Sequence, residues 1–197
     1  MIQTIENRRS IRKYQSRPVS KVLIEQVLKA GIMAPSSKNR QPWRFTVVSG
    51  NSKIKMLAAM EKGLEREKNG KPLLPKSQKY LSGAAYTLEI MRQAPVTILV
   101  TNPLGLNISQ LATAEERIYE ICNAQSVGAA LENMTLAATE LGLGSLWICD
   151  IFFAYEELNQ WINGHGTLIA AMTLGYQDES PSMRPRKALD EITQWRS

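Results

Sequence analysis

The stretch from Thr113 to Leu141, TAEERIYEICNAQSVGAALENMTLAATEL, decides how the rest of the chain must be arranged. It is the longest helical pattern in the sequence. Ala124, Val127, Gly128, Ala129, Ala130, Leu131, Met134, Leu136, Ala137 and Ala138 surround its middle with small and apolar side chains. A helix apolar on most sides is either a central buried helix or a helix at an oligomer interface. Gly142-Leu143-Gly144 stops it, glycine being the usual residue just past a helix end.

Outward from this helix, strands and helices follow without strict alternation. Ser20 to Met33 reads as a helix, with Ser20 as N-cap and Leu23, Ile24, Val27, Leu28 and Gly31 on one face. Ala34-Pro35 ends it, because the residue before a proline avoids the α region. Arg44 to Ser49 is rich in β-branched and aromatic residues, is closed by Gly50 and reads as a strand. Asn51 to about Lys68 is a second helix. Pro72 and Pro75 interrupt the segment from Asn69 to Gln93, where a helix starts near Lys79. Val96 to Thr101 is a buried strand, and Asn102 to Gln110 a loop or a flap. Leu146 to Ile151 and Leu168 to Tyr176 are two further strands, separated by a short helix near Tyr155 to Ile162. Arg184 to Ser197 is a charged tail with isolated Leu189, Ile192 and Trp195. The expected fold class is α+β: a sandwich with a small mixed β-sheet flanked by helices, in a single domain over residues 1–197.

Composition removes several function classes. The chain has 197 residues, 44% of them hydrophobic and 21% charged, the mix of an ordinary globular protein. A chain of this length buries roughly 70% of the surface its unfolded form exposes, so it needs no disulfide or metal staple. No apolar run approaches the ~18 residues of a membrane span, and Met1 to Ser10 has no apolar core of a secretory signal. Cys122, Cys149 and His165 are the whole cysteine and histidine inventory, which cannot build a Cys/His zinc site, so no metal is expected. A Ser-His-Asp triad could use only His165, whose surroundings, Asn163-Gly164-His165-Gly166, read as a surface turn. The expected compartment is a reducing cytoplasm with both thiols free.

The net charge of +6 is unevenly placed. Arg8, Arg9, Arg12, Lys13 and Arg17 crowd one short segment around Ser10. Arg184, Arg186 and Lys187 form a second cluster, and Lys38 and Arg40 follow the first helix. Composition alone favours a solvated basic surface or weak attraction to nucleic acid. The sharper reading is a site for a compact phosphate, which carries about −1.5 to −2 charge and takes up several guanidinium and hydroxyl donors. Aromatic residues do not interleave with the clusters, which argues against nucleic acid. Gly142-Leu143-Gly144-Ser145 is not a dinucleotide fingerprint: it follows a helix and precedes a strand, the reverse of the required order.

Three blocks together resemble the nitroreductase family of FMN-dependent NAD(P)H oxidoreductases. They are Arg8-Arg9-Ser10-Ile11-Arg12-Lys13-Tyr14; Ala34-Pro35-Ser36-Ser37-Lys38-Asn39-Arg40-Gln41-Pro42-Trp43-Arg44-Phe45; and Asn123-Ala124-Gln125-Ser126-Val127-Gly128, continuing to Leu141-Gly142-Leu143-Gly144-Ser145-Leu146-Trp147-Ile148. The resemblance implies an α+β homodimer with the long helix at its interface and FMN bound between subunits. It implies that Arg8, Arg9, Ser10 and Arg12 hold the phosphate and ribityl end, and that Arg184 and Arg186 close the phosphate from the other side. Pro35, Ser36, Ser37 and Asn39 would approach the flavin from the partner subunit. The strand Trp147-Ile148-Cys149-Asp150 would run along the isoalloxazine, offering a backbone N–H near N5.

The activity implied by the resemblance is ping-pong: hydride passes from NADH or NADPH to the flavin, then to a nitroaromatic, quinone or similar electron-poor acceptor. No side chain stands out as a general acid. A flavin-binding carrier or regulatory protein, or another flavin-dependent reaction on the same fold, is the alternative expectation.

Overall fold

The seven residues Val96–Asn102, all buried, form the strand around which the computed structural model is built. The model describes residues 2–164 and 166–196; the turn reading of His165 and the end of the tail at Ser197 lie outside the described residues. In chain order the helices are α1 (Gln3–Asn7), α2 (Lys21–Ile32), α3 (Gly50–Lys68), α4 (Leu81–Gln93), α5 (Ala114–Glu140), α6 (Tyr155–Ile162) and α7 (Leu189–Ile192). The strands are β1 (Arg44–Val48), β2 (Val96–Asn102), β3 (Gly144–Ile148) and β4 (Thr167–Gly175).

The four strands lie in the order β1-β2-β4-β3, and each neighbouring pair is antiparallel. The expected mixed character is therefore confined to one place, a parallel bridge between Ser10 and Ser145 at the outer edge of β3. Period-two alternation sends successive β2 residues to opposite faces. Val96, Ile98 and Val100 join Val127, Leu131 and Met134 of α5 and Val27 of α2 in one core. Leu99 joins Met56 and Met60 of α3, Leu88 and Met91 of α4, and Leu158 of α6 in the other. A sheet buried on both faces by helices is the α+β sandwich anticipated from the element order.

Helix ends follow local chemistry. The Ser20 hydroxyl accepts from the Leu23 N–H at 3.4 Å. Thr113 and Glu116 form a reciprocal capping box at the start of α5. Gly142, at φ +71°, ends α5, and the Leu143 N–H donates back to the Ala138 carbonyl at 2.8 Å.

Three sequence expectations need correction. The helix expected near Lys79 begins at Leu81, behind a 3-10 segment Pro75–Tyr80. α1 was not anticipated. Most consequential, β3 ends at Ile148, so Cys149 and Asp150 are not strand residues. Asp150 opens a 3-10 segment, Asp150–Ala154, and its carboxylate accepts from the Thr87 hydroxyl of α4 at 2.6 Å. Ile151 and Phe153 then turn into the core beside α3 and α4.

α5 is half buried. Asn123, Val127, Ala130, Leu131, Met134 and Ala138 face the sheet and α2. Ile118 and Ile121 are more than half exposed, and Gly128, Leu136 and Ala137 are half-buried. Among the described residues no helix is long and apolar enough to cross a membrane.

Candidate functional site

Two strongly basic segments, far apart in sequence, meet. Residues 8–12 leave α1, run past the outer edge of β3 and pair there through Ser10. The Ile11 N–H donates to the Ser145 carbonyl at 2.9 Å. Gly144 permits this approach, since a Cβ there would stand 2.9 Å from the Ile11 side chain. After β4 the chain returns antiparallel to residues 13–15: Gln15 N–H donates to Tyr176 C=O, and Asp178 N–H to Lys13 C=O, both at 2.9 Å. The Arg17 guanidinium lies 3.9 Å from the centre of the Tyr176 ring.

The result is a cavity of about 270 Å³ lined by Arg8, Arg9, Ser10 and Arg12 on one side. Pro181, Ser182, Met183, Arg184 and Arg186 line the other. An adjoining cavity of about 610 Å³ shares Arg8, Arg9, Met183 and Arg186 and adds Ile5, Glu6 and Glu132.

The five guanidinium groups have little to neutralise them. Arg8 Nε lies 3.6 Å from Glu132 of α5. Among the described residues none of the other four has a carboxylate within 4.0 Å. Arg9 donates to the Glu6 carbonyl at 2.5 Å, Arg12 to the Ser10 carbonyl at 3.2 Å, and Arg186 to the Arg184 carbonyl at 3.2 Å. Backbone carbonyls orient guanidinium groups without cancelling their charge. A dianion with three acceptor oxygens is the ligand chemistry this set suits.

The remaining sequence-predicted residues lie elsewhere in the chain. Pro35, Ser36, Ser37 and Asn39 do not line the arginine cavity. Their loop is tied to α5, where Ser37 N–H donates to the Ser126 hydroxyl at 3.3 Å and Arg40 stacks on Tyr119 at 4.2 Å. Lys38, Asn39 and Gln41 hold φ near +50° without being glycine, a strained run that such ties must maintain. Trp147 is 40% exposed, and its ring packs at Gly128 of α5. The Ile148 side chain is buried in the core, so only its backbone is on offer. Cys149 is exposed, and burial of its sulfur, then the neighbouring Asp150 charge, pushes the thiol pKa up. Sequence reasoning missed Glu132, the one carboxylate on Arg8, and the Pro181-Ser182-Met183 wall, which no motif marks.

The sequence model of the Nitroreductase family matches residues 5–176. The chain belongs to the nitroreductase family. Arg184 and Arg186 lie beyond the matched span, so the far wall of the cavity comes from the segment that follows. A protein of Methanothermobacter thermautotrophicus, provisionally named an NADH dehydrogenase/NAD(P)H nitroreductase, is 29% identical over 188 residues, 93% of this chain and 81% of the relative. Two crystal structures are each 28% identical. One is a provisionally named nitroreductase of Desulfovibrio desulfuricans in complex with FMN (TM-score 0.72, 100% of this chain and 96% of that one). The other is a BluB-like flavoprotein of Clostridium difficile (TM-score 0.77, 99% and 98%).

Proposed function

We propose that the protein is an FMN-dependent oxidoreductase that takes reducing equivalents from NADH or NADPH and delivers them to an electron-poor organic acceptor, a nitroaromatic or a quinone, in ping-pong order. The observation that carries this reading is the convergence of Arg8, Arg9, Arg12, Arg184 and Arg186 on one cavity with, among the described residues, a single carboxylate contact. That set fits the phosphate of FMN, and the family relationship supplies the rest of the ligand.

When bound, FMN supplies the hydride chemistry, which is the cofactor's own. The chain's residues do the holding. Arg8, Arg9, Ser10 and Arg12 bind the phosphate and ribityl end, and Arg184 and Arg186 close over it. Backbone N–H groups at Cys149 and Asp150, beyond the last ladder pair Ile148–Ala171, would be offered to the ring.

The loop Pro35, Ser36, Ser37 and Asn39 stays away from this chain's own arginine cavity, which supports its use in the site of a second copy. The open face of α5 and the exposed Leu189, Ile192 and Trp195 of the tail give a homodimer apolar surface to bury. Sedimentation is expected to give about twice the 22.1 kDa chain mass.

The deciding experiment is an absorbance spectrum of the purified protein followed by anaerobic titration with NADH and NADPH. A flavin spectrum bleached by either nucleotide is expected, returning on addition of acceptor. A protein that takes up no FMN overturns the reading. One that stays oxidised with both nucleotides is a flavin carrier, and one whose flavin spectrum fails to return carries out a different flavin reaction.

A further inference from the structure

A carboxylate beside an anion site opposes the ligand by its charge, so Glu179 needs an explanation. It is half-buried, lies two residues before the Pro181 wall and does not line the cavity. Its Oε1 accepts from the backbone N–H groups of both Arg12 and Lys13, the second at 3.2 Å. It thereby ties the segment that leads to Arg184 and Arg186 directly to the segment that carries Arg8 and Arg12.

Its place in the pairing is what matters. The Gln15 N–H to Tyr176, the Gln15 side chain to the Gln177 carbonyl at 3.0 Å, and the Asp178 N–H to Lys13 zip the two segments together. Glu179 is the last tooth. Among the described residues, no hydrogen bond joins residues 180–187 to residues 2–20. The C-terminal wall of the cavity therefore leaves the paired segments directly after this carboxylate, which is the tie nearest to it.

The geometry points to Glu179 as a positioning residue for the phosphate cradle: it spends its charge on two backbone amides and so sets the separation of the two arginine groups. This rests on the flavin reading above. It predicts that Glu179 discriminates between flavins by their phosphate while never touching one. Charge and placement also separate cleanly. Glutamine keeps an oxygen that accepts from the same amides and loses the opposing charge, whereas alanine loses both.

The test compares binding of FMN and riboflavin, which share ring and ribityl chain and differ in the phosphate, to apoprotein of wild type, Glu179→Ala and Glu179→Gln, with circular dichroism as the fold check. Glu179→Ala is expected to weaken FMN by about tenfold or more, the scale of one hydrogen bond to a charged group, and to leave riboflavin within about twofold. Glu179→Gln is expected to bind FMN at least as tightly as wild type. Equal FMN affinity in wild type and Glu179→Ala overturns the inference, as does parallel loss of both flavins or a glutamine variant that behaves like alanine. Tighter FMN binding in both variants would show that charge alone matters, and overturns it too. If the alanine variant does not fold, Glu179→Asp, shorter by one methylene, is read by the same FMN-to-riboflavin ratio. Wild type that binds neither flavin refutes the function itself, a result distinct from all of these.

Discussion

Arg66 and the arginines of the cavity make opposite use of the same side chain. Arg66, at the end of α3, donates to Glu157 of α6 at 2.8 and 3.2 Å and to the adjacent Glu67 at 2.8 Å. The Glu67 side chain is fully buried, and it accepts from the N–H groups of Leu73 and Leu74 at 2.7 and 3.3 Å and from Gln78 at 3.2 Å. Here a single guanidinium is met by carboxylates of its own chain, and the buried one is met further by N–H donors. In the cavity, among the described residues, only Arg8 of the five guanidinium groups has a carboxylate, at 3.6 Å. A closed set of charges fastens α3, α6 and the 69–80 segment together. An open one leaves its electrostatic potential for something that arrives from outside.

The sharpest way to break this contrast is Glu67→Ala. It strips two backbone N–H groups of their acceptor and Arg66 of a partner, so a stability loss of about 2–3 kcal/mol is expected by denaturant unfolding of apoprotein, with the flavin affinity of the folded fraction unchanged. The mirror experiment is the double variant Arg8→Ala, Arg186→Ala. FMN binding is expected to weaken by more than about a hundredfold, measured by flavin fluorescence, while apoprotein stability holds or rises as like charges are removed. Loss of stability without loss of FMN would invert the assignment of the two clusters.

Salt sharpens the distinction. Raising ionic strength towards 1 M, where the Debye length is about 3 Å, is expected to weaken FMN by about tenfold while riboflavin barely responds. The stability gap between wild type and Glu67→Ala should move little, because that cluster is shielded from solvent. The smallest effect is on acid. Burial acts to raise the Glu157 pKa, but the hydrogen bonds from Arg66, a backbone hydrogen bond and the Arg66 and Lys62 charges together outweigh it and hold the carboxyl below the usual carboxylate range. Its stabilisation is therefore present above the ordinary glutamate value of about 4.3 and is lost as pH falls through the depressed one. The difference in melting temperature between wild type and Arg66→Met is expected to shrink over that acid window.

The elements legible in the sequence were those whose signals are local. The Ser20 cap, the apolar residues of α5 and the glycine at 142 set their helices without help from distant residues. β3 was overrun because Leu146 to Ile151 is mostly apolar, which suits a strand and a buried 3-10 turn equally; beyond Ile148 the Asp150 carboxylate is held by Thr87 of another helix, a partner that no local pattern shows. α1 is too short for a periodic signal, and its position comes from packing on α5. In the site, the arginines were visible as two clusters, but spacing alone carried no sign that they meet. Glu132 and Glu179 had no signal at all, since each looks like any surface carboxylate until its distant partner is in place.

The tie between Arg12 and Glu179 spans 167 positions, which imposes an order in time. Closing so long a loop is an entropic cost met only once the intervening sheet has brought its ends together. The anion cradle is thus among the last features to assemble, after translation has passed residue 186. Cofactor capture then reports completed folding, and a chain truncated ahead of Arg184 would fold its sandwich yet stay colourless.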